Sequence, residues 1–338
     1  MTDTTPPPPP TATAQRRKFL MMVSYYGRGY VGWQRQAITH KTPAGQAQLV
    51  SIQDVVEAAV TSQFRPHEHV NVTSVSRTDS GTNALQQYCT FVLSEPHPPP
   101  SEMLVAINAA LPESVRAQSL VLLNDVDARR RTKSIRKKYV YYIEQGPRPS
   151  TTTLHTAWFV GKPLNLAAMR EALGYITGTH DFRAFSQGLQ KHEFADLNTT
   201  RTLLDCQVVA RRSVDFSLDL ATAGTGDVVT PDPSPGCADN FMVCIEITGT
   251  GFLRHMVRRI VGTLRPIGEG RLPPSVMLDV LAGRREPGPS VPSRGLWLHQ
   301  SWMGILQMQP PGRDQSEGST AGIHHDDDLG GVCEDLDE

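Results

Sequence analysis

Val75–Ser76–Arg77–Thr78–Asp79–Ser80–Gly81 is the stretch of sequence around which the chain is organised. The positions before it, Val70 and Val72, favour a strand, because β-branched residues fit a pleated sheet. Asp, Ser and Gly then end the strand, as they do in turns. The stretch therefore predicts a strand that ends in a loop carrying one carboxylate, Asp79, beside one guanidinium, Arg77. An ordinary turn is the alternative interpretation of an isolated Asp-Ser-Gly sequence.

Helical and strand patterns alternate on both sides of this loop. Apolar residues at helical spacing predict helices, and short β-branched or aromatic runs predict strands. Ser51 is the expected N-cap of the first helix. Two successive α+β units result, and the pattern alone leaves open whether their sheets join side by side. The predicted strands are 19–25, 70–76, 88–92, 115–123, 138–143, 202–209, 241–248 and 296–306, and the predicted helices are 51–64, 101–111, 164–176, 253–268 and 274–281.

The length of the chain allows one large core or two modest ones. Its 338 residues, with 39% hydrophobic content, favour two domains. Stretches rich in proline, glycine or acidic residues mark the expected disordered ends and one mobile insertion. The predicted segments are a disordered lead (1–16), an N-terminal α+β domain with the Asp79 loop (17–125), a C-terminal α+β domain (126–310) with an insertion near 211–240, and a disordered acidic tail (311–338).

Charge is distributed unevenly along the sequence. The chain has 33 basic and 34 acidic residues, but nine acidic residues and one basic residue fall within 313–338. The remainder therefore has 32 basic and 25 acidic residues, a net charge of +7. A basic body suits contacts with nucleic-acid phosphates, and an ordinary solvated surface is the alternative interpretation.

The cysteines and the apolar runs argue against several classes of protein. The five cysteines are odd in number and scattered, with no histidine at metal-ligand spacing. This pattern argues against a zinc site and for a reducing intracellular compartment, which leaves cytoplasm, nucleus and mitochondrion open. No apolar run is long enough to cross a bilayer, so we expect no membrane partner. We also expect no metal.

Four motifs share their order and spacing with one protein family. They are Tyr25–Gln36, the Asp79 loop, Lys137–Tyr139 and Gly251–Arg258. Together they resemble the motifs of the TruA family of tRNA pseudouridine synthases, over most of the chain. The resemblance implies the pseudouridine synthase fold of that family. In this fold two similar α+β domains join mixed, largely antiparallel sheets into one long sheet with a central RNA-binding cleft.

The resemblance also assigns roles to residues within these motifs. Asp79 matches the family's catalytic aspartate, Arg258 the arginine that pairs with it, and Tyr139 the tyrosine that packs against the target base. An arginine suits a carboxylate because its planar fork can donate two parallel hydrogen bonds. From the residues alone, Tyr139 also fits a strand core and Arg258 a solvated helix surface. The expected substrate-binding residues are Arg77, Arg131 and Lys137.

Pseudouridine formation needs few groups. The bond between uracil and ribose is broken, the base is turned, and the link is rebuilt to carbon 5, without net oxidation or hydrolysis. An ionised carboxylate, a proton shuttle and a closed pocket suffice, so we expect no cofactor. The basic run 129–138 would follow an RNA backbone at the entrance of a cleft, or it is a solvated face.

The family resemblance implies tRNA as the partner and also allows a homodimer. The expected target is a uridine in the anticodon stem-loop, at about positions 38 to 40 of the tRNA, where weakened stacking makes it cheap to extrude the base. Recognition of tRNA shape through a positive cleft, more than through base edges, is expected. Several tRNAs of unrelated sequence should then be substrates.

Two departures from the family pattern leave other functions open. Asn83 stands where relatives usually have histidine, and Ala128–Arg131 retains only the arginine of a Phe-His-Ala-Arg stretch. A catalytically weakened RNA-binding relative, and a pseudouridine synthase acting on mitochondrial or other RNA, are therefore alternatives. Without the resemblance, a generic acid/base enzyme that uses Asp79 on a small metabolite is a third, and the basic run counts against it.

Overall fold

The computed structural model describes residues 15–36, 50–124, 132–188, 197–212 and 240–304. Ten strands of this part form one mixed sheet. The strands are β1 (Arg16–Tyr25), β2 (Thr73–Ser74), β3 (Asn83–Ser94), β4 (Val115–Leu122), β5 (Ser134–Gln145), β6 (Trp158–Phe159), β7 (Gly178–Asp181), β8 (Thr200–Arg212), β9 (Phe241–Gly249) and β10 (Leu296–Met303). The helices are α1 (Ile52–Phe64), α2 (Pro100–Ala110), α3 (Leu166–Gly174), α4 (Met256–Gly268) and α5 (Val276–Leu281), with 3₁₀ turns at Arg183–Phe185 and Ser293–Gly295.

The sheet consists of an N-terminal and a C-terminal half. The strand order is β4-β1-β3-β10-β5-β9-β8-β7, with β2 on β3 and β6 on β5. Among the described strands, β3 pairs with β10 and β5 with β6 in parallel, and the other pairs are antiparallel. The predicted α+β class, with one long, largely antiparallel sheet, is confirmed.

The two halves meet along a short junction between β3 and β10. Only two residue pairs form it, Asn83 with Trp297 and Ala84 with Leu298. Farther along, β3 pairs with β1 and β2, while β10 pairs with β5 as far as Met303. The chain therefore forms one continuous sheet with a cleft between its halves, lined from both sides.

The helices cover one face of the sheet. Their buried residues form a single hydrophobic cluster with alternate residues of the strands. This alternation follows from the period of two in a strand, which sends every second side chain to the same face. The strand residues in this cluster include Phe19, Met21 and Val23 of β1 and Tyr139, Tyr141 and Ile143 of β5.

Helix α1 begins at the N-cap that the sequence predicts. The Ser51 hydroxyl accepts a hydrogen bond from the backbone N–H of Asp54 (3.1 Å), and the Asp54 carboxylate accepts one from the Ser51 N–H (3.0 Å). This reciprocal capping box satisfies two N–H groups that have no partner inside the helix.

The predicted strand 70–76 is wrong in its extent, because only Thr73–Ser74 pair as a strand. Side chains of α1 accept hydrogen bonds from backbone N–H groups of residues before Thr73. Val70 donates its N–H to Thr61 Oγ1 (3.1 Å), and Val72 donates its N–H to Glu57 Oε1 (2.8 Å). The valines are still buried, so their apolar character reflects packing against the helix rather than strand pairing.

Three predicted boundaries also shift. Strand β1 begins at Arg16, inside the predicted lead, and β8 extends to Arg212, inside the predicted insertion. Helix α4 begins at Met256 instead of residue 253. The rest of the lead (1–14), of the insertion (213–239) and the whole acidic tail lie outside the described residues. Among the described helices, none has the length and apolar character needed to cross a membrane.

Candidate active site

The cleft between the two halves brings most of the predicted site residues together. It has a volume of about 2480 Å³ and is lined by the loop around Asp79 on one side and by residues of β5 and the start of α4 on the other. Arg131 lies outside the described residues. The predicted residues that line the cleft are Asp79, Tyr139, Arg258, Arg77 and Lys137.

The Asp79 loop is held from behind by the aromatic loop that follows β1. Tyr25 OH shares a hydrogen bond of 2.7 Å with Thr78 Oγ1, and Trp33 donates its backbone N–H to the Thr78 carbonyl (3.1 Å). Gly32 adopts a positive φ of 107°, and a Cβ there would lie 2.5 Å from the Thr78 oxygen. The glycine is therefore needed for the close approach of the two loops.

Among the described residues, His255 is the side chain whose nitrogen lies near the Asp79 carboxylate. Its Nε2 lies 3.7 Å from Asp79 Oδ2, and the two side chains are 16% and 28% exposed. The sequence contained this residue in the motif Gly251–Arg258, but the resemblance assigned it no role. Only its position directly before a basic helix could have indicated it.

Arg258 approaches Asp79 without forming the expected two-pronged ion pair. Its Nε donates a hydrogen bond to the Val291 carbonyl (2.7 Å), which fixes the guanidinium beside the cleft. Burial lowers the pKa of Arg258, and the negative charge of Asp79 acts in the opposite direction. The two charges therefore interact through space. The alternative interpretation, a solvated helix surface, does not hold for this residue, because it is partly buried.

Tyr139 is both a core residue and a wall of the cleft. It is 7% exposed and packs edge-on against Phe252, with ring centroids 5.0 Å apart. Burial raises the pKa of Tyr139, and the nearby charge of Asp79 raises it further. The phenol is therefore protonated at neutral pH and can donate its proton in a hydrogen bond.

The basic run 129–138 divides into two groups in its described part. Lys133 and Lys137 line the cleft. Arg136 instead stacks on the Trp302 ring at 4.1 Å, and Lys138 forms an ion pair with Glu246 across the sheet. Only part of the run can therefore follow an RNA backbone in the cleft. Arg77, on the opposite wall, is exposed.

The segment 288–293, between α5 and β10, holds two side chains of the site and the buried Tyr141. Sequence reasoning missed it, because its Gly-Pro-Ser-Val-Pro-Ser sequence looks like an ordinary loop. Each contact is a single hydrogen bond. The contacts are Ser290 Oγ with His255 Nδ1 (2.9 Å), the Val291 oxygen with Arg258 Nε (2.7 Å) and the Pro292 oxygen with Tyr141 OH (2.8 Å).

Two glycines let this segment cross α4 in direct contact. A Cβ on Gly262 would lie 2.0 Å from the Pro289 oxygen, and one on Gly288 would lie 2.2 Å from the Gly262 carbonyl carbon. Gly288 also donates its N–H to Thr263 Oγ1 (2.8 Å). The crossing therefore places the segment close enough to reach His255 and Arg258.

Asn83, which departs from the family pattern, has a structural role. It is 1% exposed at the β3–β10 junction. Its Oδ1 accepts a hydrogen bond from the Gly27 N–H (2.8 Å), and its Nδ2 donates one to the Arg294 carbonyl (2.9 Å). The amide thus links the aromatic loop to the C-terminal half.

Comparison with known proteins identifies the family. A family model described as tRNA pseudouridine synthase matches residues 172–301. The tRNA pseudouridine synthase A of Myxococcus xanthus is 32% identical over 91% of this chain and 98% of its own length. This chain belongs to the tRNA pseudouridine synthase A family. Enzymes of that name from Chlamydia trachomatis and Syntrophotalea carbinolica are each 32% identical, over 83% and 82% of this chain and 90% and 93% of their own lengths.

The similarity to the tRNA pseudouridine synthase A family is therefore not limited to the four short motifs. It covers 91% of the chain in the match to the Myxococcus xanthus enzyme. No group of three or more His, Cys, Asp or Glu side chains suited to a metal ion occurs among the described residues. Asp79, Tyr139, His255 and Arg258 all line the cleft.

Proposed function

We propose that this protein isomerises uridine to pseudouridine in tRNA, with Asp79 as the nucleophile. The observation that carries the proposal is the meeting of Asp79, Tyr139 and Arg258 in one cleft of a chain from this family. The meeting of these three side chains from separate halves of the molecule supports a site for a substrate that enters between the halves.

The reaction is an isomerisation, so its atoms balance within the nucleotide. The bond between ribose C1′ and uracil N1 breaks, a bond from C1′ to C5 forms, and the proton on C5 is exchanged for one on N1. Asp79 uses its electron pair to form a transient bond to either the sugar or the base ring, and that bond breaks again by the time the base is rejoined through C5, which regenerates the carboxylate. The positive charge of Arg258 interacts with the Asp79 carboxylate across the cleft.

Tyr139 and its neighbour Phe252 form the wall on which the target base rests. The Tyr139 ring is fixed edge-on by Phe252, so its position is defined before substrate arrives. Its hydroxyl acts as a proton shuttle: the oxygen accepts the proton from C5 as the hydroxyl releases its own, which ends on N1. Substitution by phenylalanine keeps the wall and removes the shuttle, which separates the two roles.

The substrate is a uridine of the anticodon stem-loop, at about positions 38 to 40, extruded into the cleft. Arg77 and Lys137 on opposite walls, with Arg131 before β5, bind the flipped nucleotide and its flanking phosphates. Modification sites mapped in tRNA from cells with and without the protein check this position. The homodimer that the family resemblance allows is checked by analytical ultracentrifugation of the full chain.

Replacement of Asp79 by asparagine tests the nucleophile. Asp79→Asn keeps the shape of the side chain and removes the charge, so turnover should be abolished while tRNA affinity is retained. Release of tritium from tRNA labelled at C5 of uridine measures turnover. Asp205→Asn, an identical change on an exposed strand position, is the matched control and should leave turnover unaltered. Measurable turnover in Asp79→Asn would remove Asp79 from this role.

A further inference from the structure

His255 has a backbone conformation that its residue type disfavours. Among the described residues it is the single non-glycine with a positive φ, at φ 59° and ψ 4°. The left-handed region is strained for an L-residue with a Cβ, because the Cβ approaches the following carbonyl oxygen. A glycine would avoid this cost, so the imidazole must supply something that offsets the strain.

The imidazole does not contribute a helix cap. His255 is the N-cap residue of α4, but its side chain forms no capping hydrogen bond with the helix. It points instead between Ser290 and Asp79, with Nδ1 at 2.9 Å from Ser290 Oγ and Nε2 at 3.7 Å from Asp79 Oδ2. Each ring nitrogen therefore faces one polar partner, on opposite sides of the ring.

We propose that His255 is a positioning residue for Asp79, with its tautomer fixed by Ser290. The Ser290 hydroxyl donates to Nδ1, so the proton of the neutral ring is held on Nε2. That N–H donates to the Asp79 carboxylate and directs its other oxygen toward the nucleotide. The separation of 3.7 Å is longer than a hydrogen bond and closes when substrate fills the cleft. This inference rests on the proposed function.

The groups facing His255 keep it neutral. Burial lowers the pKa of His255 below its ordinary value of 6.5, and the charges of Arg258, Arg254 and Arg259 lower it further, against the opposing effect of Asp79. A neutral imidazole serves as a directed donor rather than as a second counter-ion. Arg258 therefore provides a positive charge near Asp79, and His255 provides a hydrogen bond that orients the carboxylate.

The left-handed backbone gives this proposal a sharp test. His255→Gly relieves the strain and keeps the helix N-cap backbone, so the melting temperature should stay the same or rise. Turnover should nevertheless fall, by roughly 100-fold in kcat, because the carboxylate loses its orientation. KM for tRNA should not change, since the imidazole contacts Asp79 and not the RNA. Tritium release under single-turnover and steady-state conditions gives both parameters.

Two further variants distinguish positioning from packing. His255→Gln places an N–H near the position of Nε2 and should restore most of kcat relative to His255→Gly. Ser290→Ala leaves the ring in place but frees the tautomer, so kcat should fall less than in His255→Gly, with KM and melting temperature unchanged.

The outcomes separate this inference from the proposed function. A stable His255→Gly with wild-type kcat overturns the positioning role, as does a folded His255→Gln that is as slow as His255→Gly. If His255→Gly fails to fold, wild-type kcat in Ser290→Ala overturns it instead. Turnover in Asp79→Asn would refute the nucleophile itself, whereas an inactive Asp79→Asn beside a fully active His255→Gly refutes only the inference.

Discussion

At the scale of single residues, Arg258 shows how a cation can serve a carboxylate without touching it. Its Nε is committed to the Val291 carbonyl, which leaves the remaining N–H groups of the guanidinium toward the cleft. The Arg258 guanidinium is therefore held in one position, from which its positive charge acts on Asp79. Residue type alone predicted the charge, but the anchoring carbonyl comes from a segment 33 residues away in sequence.

Substitution of Arg258 by lysine should be almost as damaging as its removal. A lysine has one nitrogen and cannot both bond to the Val291 carbonyl and direct its charge to Asp79. We expect kcat of Arg258→Lys to approach that of Arg258→Ala, as measured by tritium release. Arg285→Lys, at an exposed position on the loop after α5, is the control and should behave like the wild type. Full activity in Arg258→Lys would show that a positive charge is enough and that the anchored guanidinium geometry is not needed.

His299 should make stability depend on pH. Burial, with the charge of Lys138, lowers its pKa from 6.5 to about 4 in the folded protein. Between these values the unfolded chain binds a proton that the folded protein does not, so stability falls as the pH decreases. The loss attributable to His299 from about pH 7.5 to about pH 5 is about 2 kcal/mol.

The variant His299→Gln isolates this contribution, because glutamine does not titrate. Urea unfolding of both proteins at the two pH values gives the two changes in the free energy of unfolding. The wild type should lose about 2 kcal/mol more than the variant. Equal losses would show that His299 titrates normally in the folded state.

At the scale of elements, sequence patterns located most helices and strands, including the Asp79 loop, but not three features that support the site. The start of α4 was misplaced because His255 adopts a left-handed backbone, which no periodicity reveals. The strand 70–76 was overextended because side chains of α1 take its N–H groups. The segment 288–293 was not recognised, since its role depends on a crossing between distant glycines. Patterns in a short stretch of sequence predict hydrogen bonds within that stretch. These features depend on contacts between distant parts of the chain, so such patterns do not reveal them.

The crossing of α4 and the segment 288–293 should not tolerate a methyl group. In Gly262→Ala the new Cβ meets the backbone oxygen of Pro289, so either element must shift. We expect a destabilisation of about 1 to 3 kcal/mol in urea unfolding and a fall in kcat, because the segment holds His255 and Arg258. Gly174→Ala is the matched helical control, since its Cβ meets open space. Equal stability in the two variants would contradict the tight crossing.

At the scale of the whole molecule, a single sheet with a short β3–β10 junction explains how distant motifs form one site. The loop with Asp79 and the strand with Tyr139 belong to different halves, and the junction brings them to the same cleft. The sequence predicted two α+β units but could not decide from pattern whether their sheets join. Pairing between β3 and β10 spans more than 200 residues, and only the family resemblance indicated it.

The position of the basic residues around the cleft should determine how tRNA binding depends on salt. Each phosphate contact that is lost lowers the slope of log affinity against log salt by about 1, because fewer counterions are released on binding. Lys133 lines the cleft, whereas Arg136, three residues along the same run, is stacked on Trp302 and does not line it. Lys133→Glu should therefore flatten the slope by about 1 or more.

Arg136→Glu makes the same change in net charge and should leave the slope close to that of the wild type. Filter binding of one tRNA across a salt series measures both variants. Identical slopes would mean that net charge, and not the cleft, governs binding, and a larger effect of Arg136→Glu would place the RNA path on the Trp302 side of the sheet.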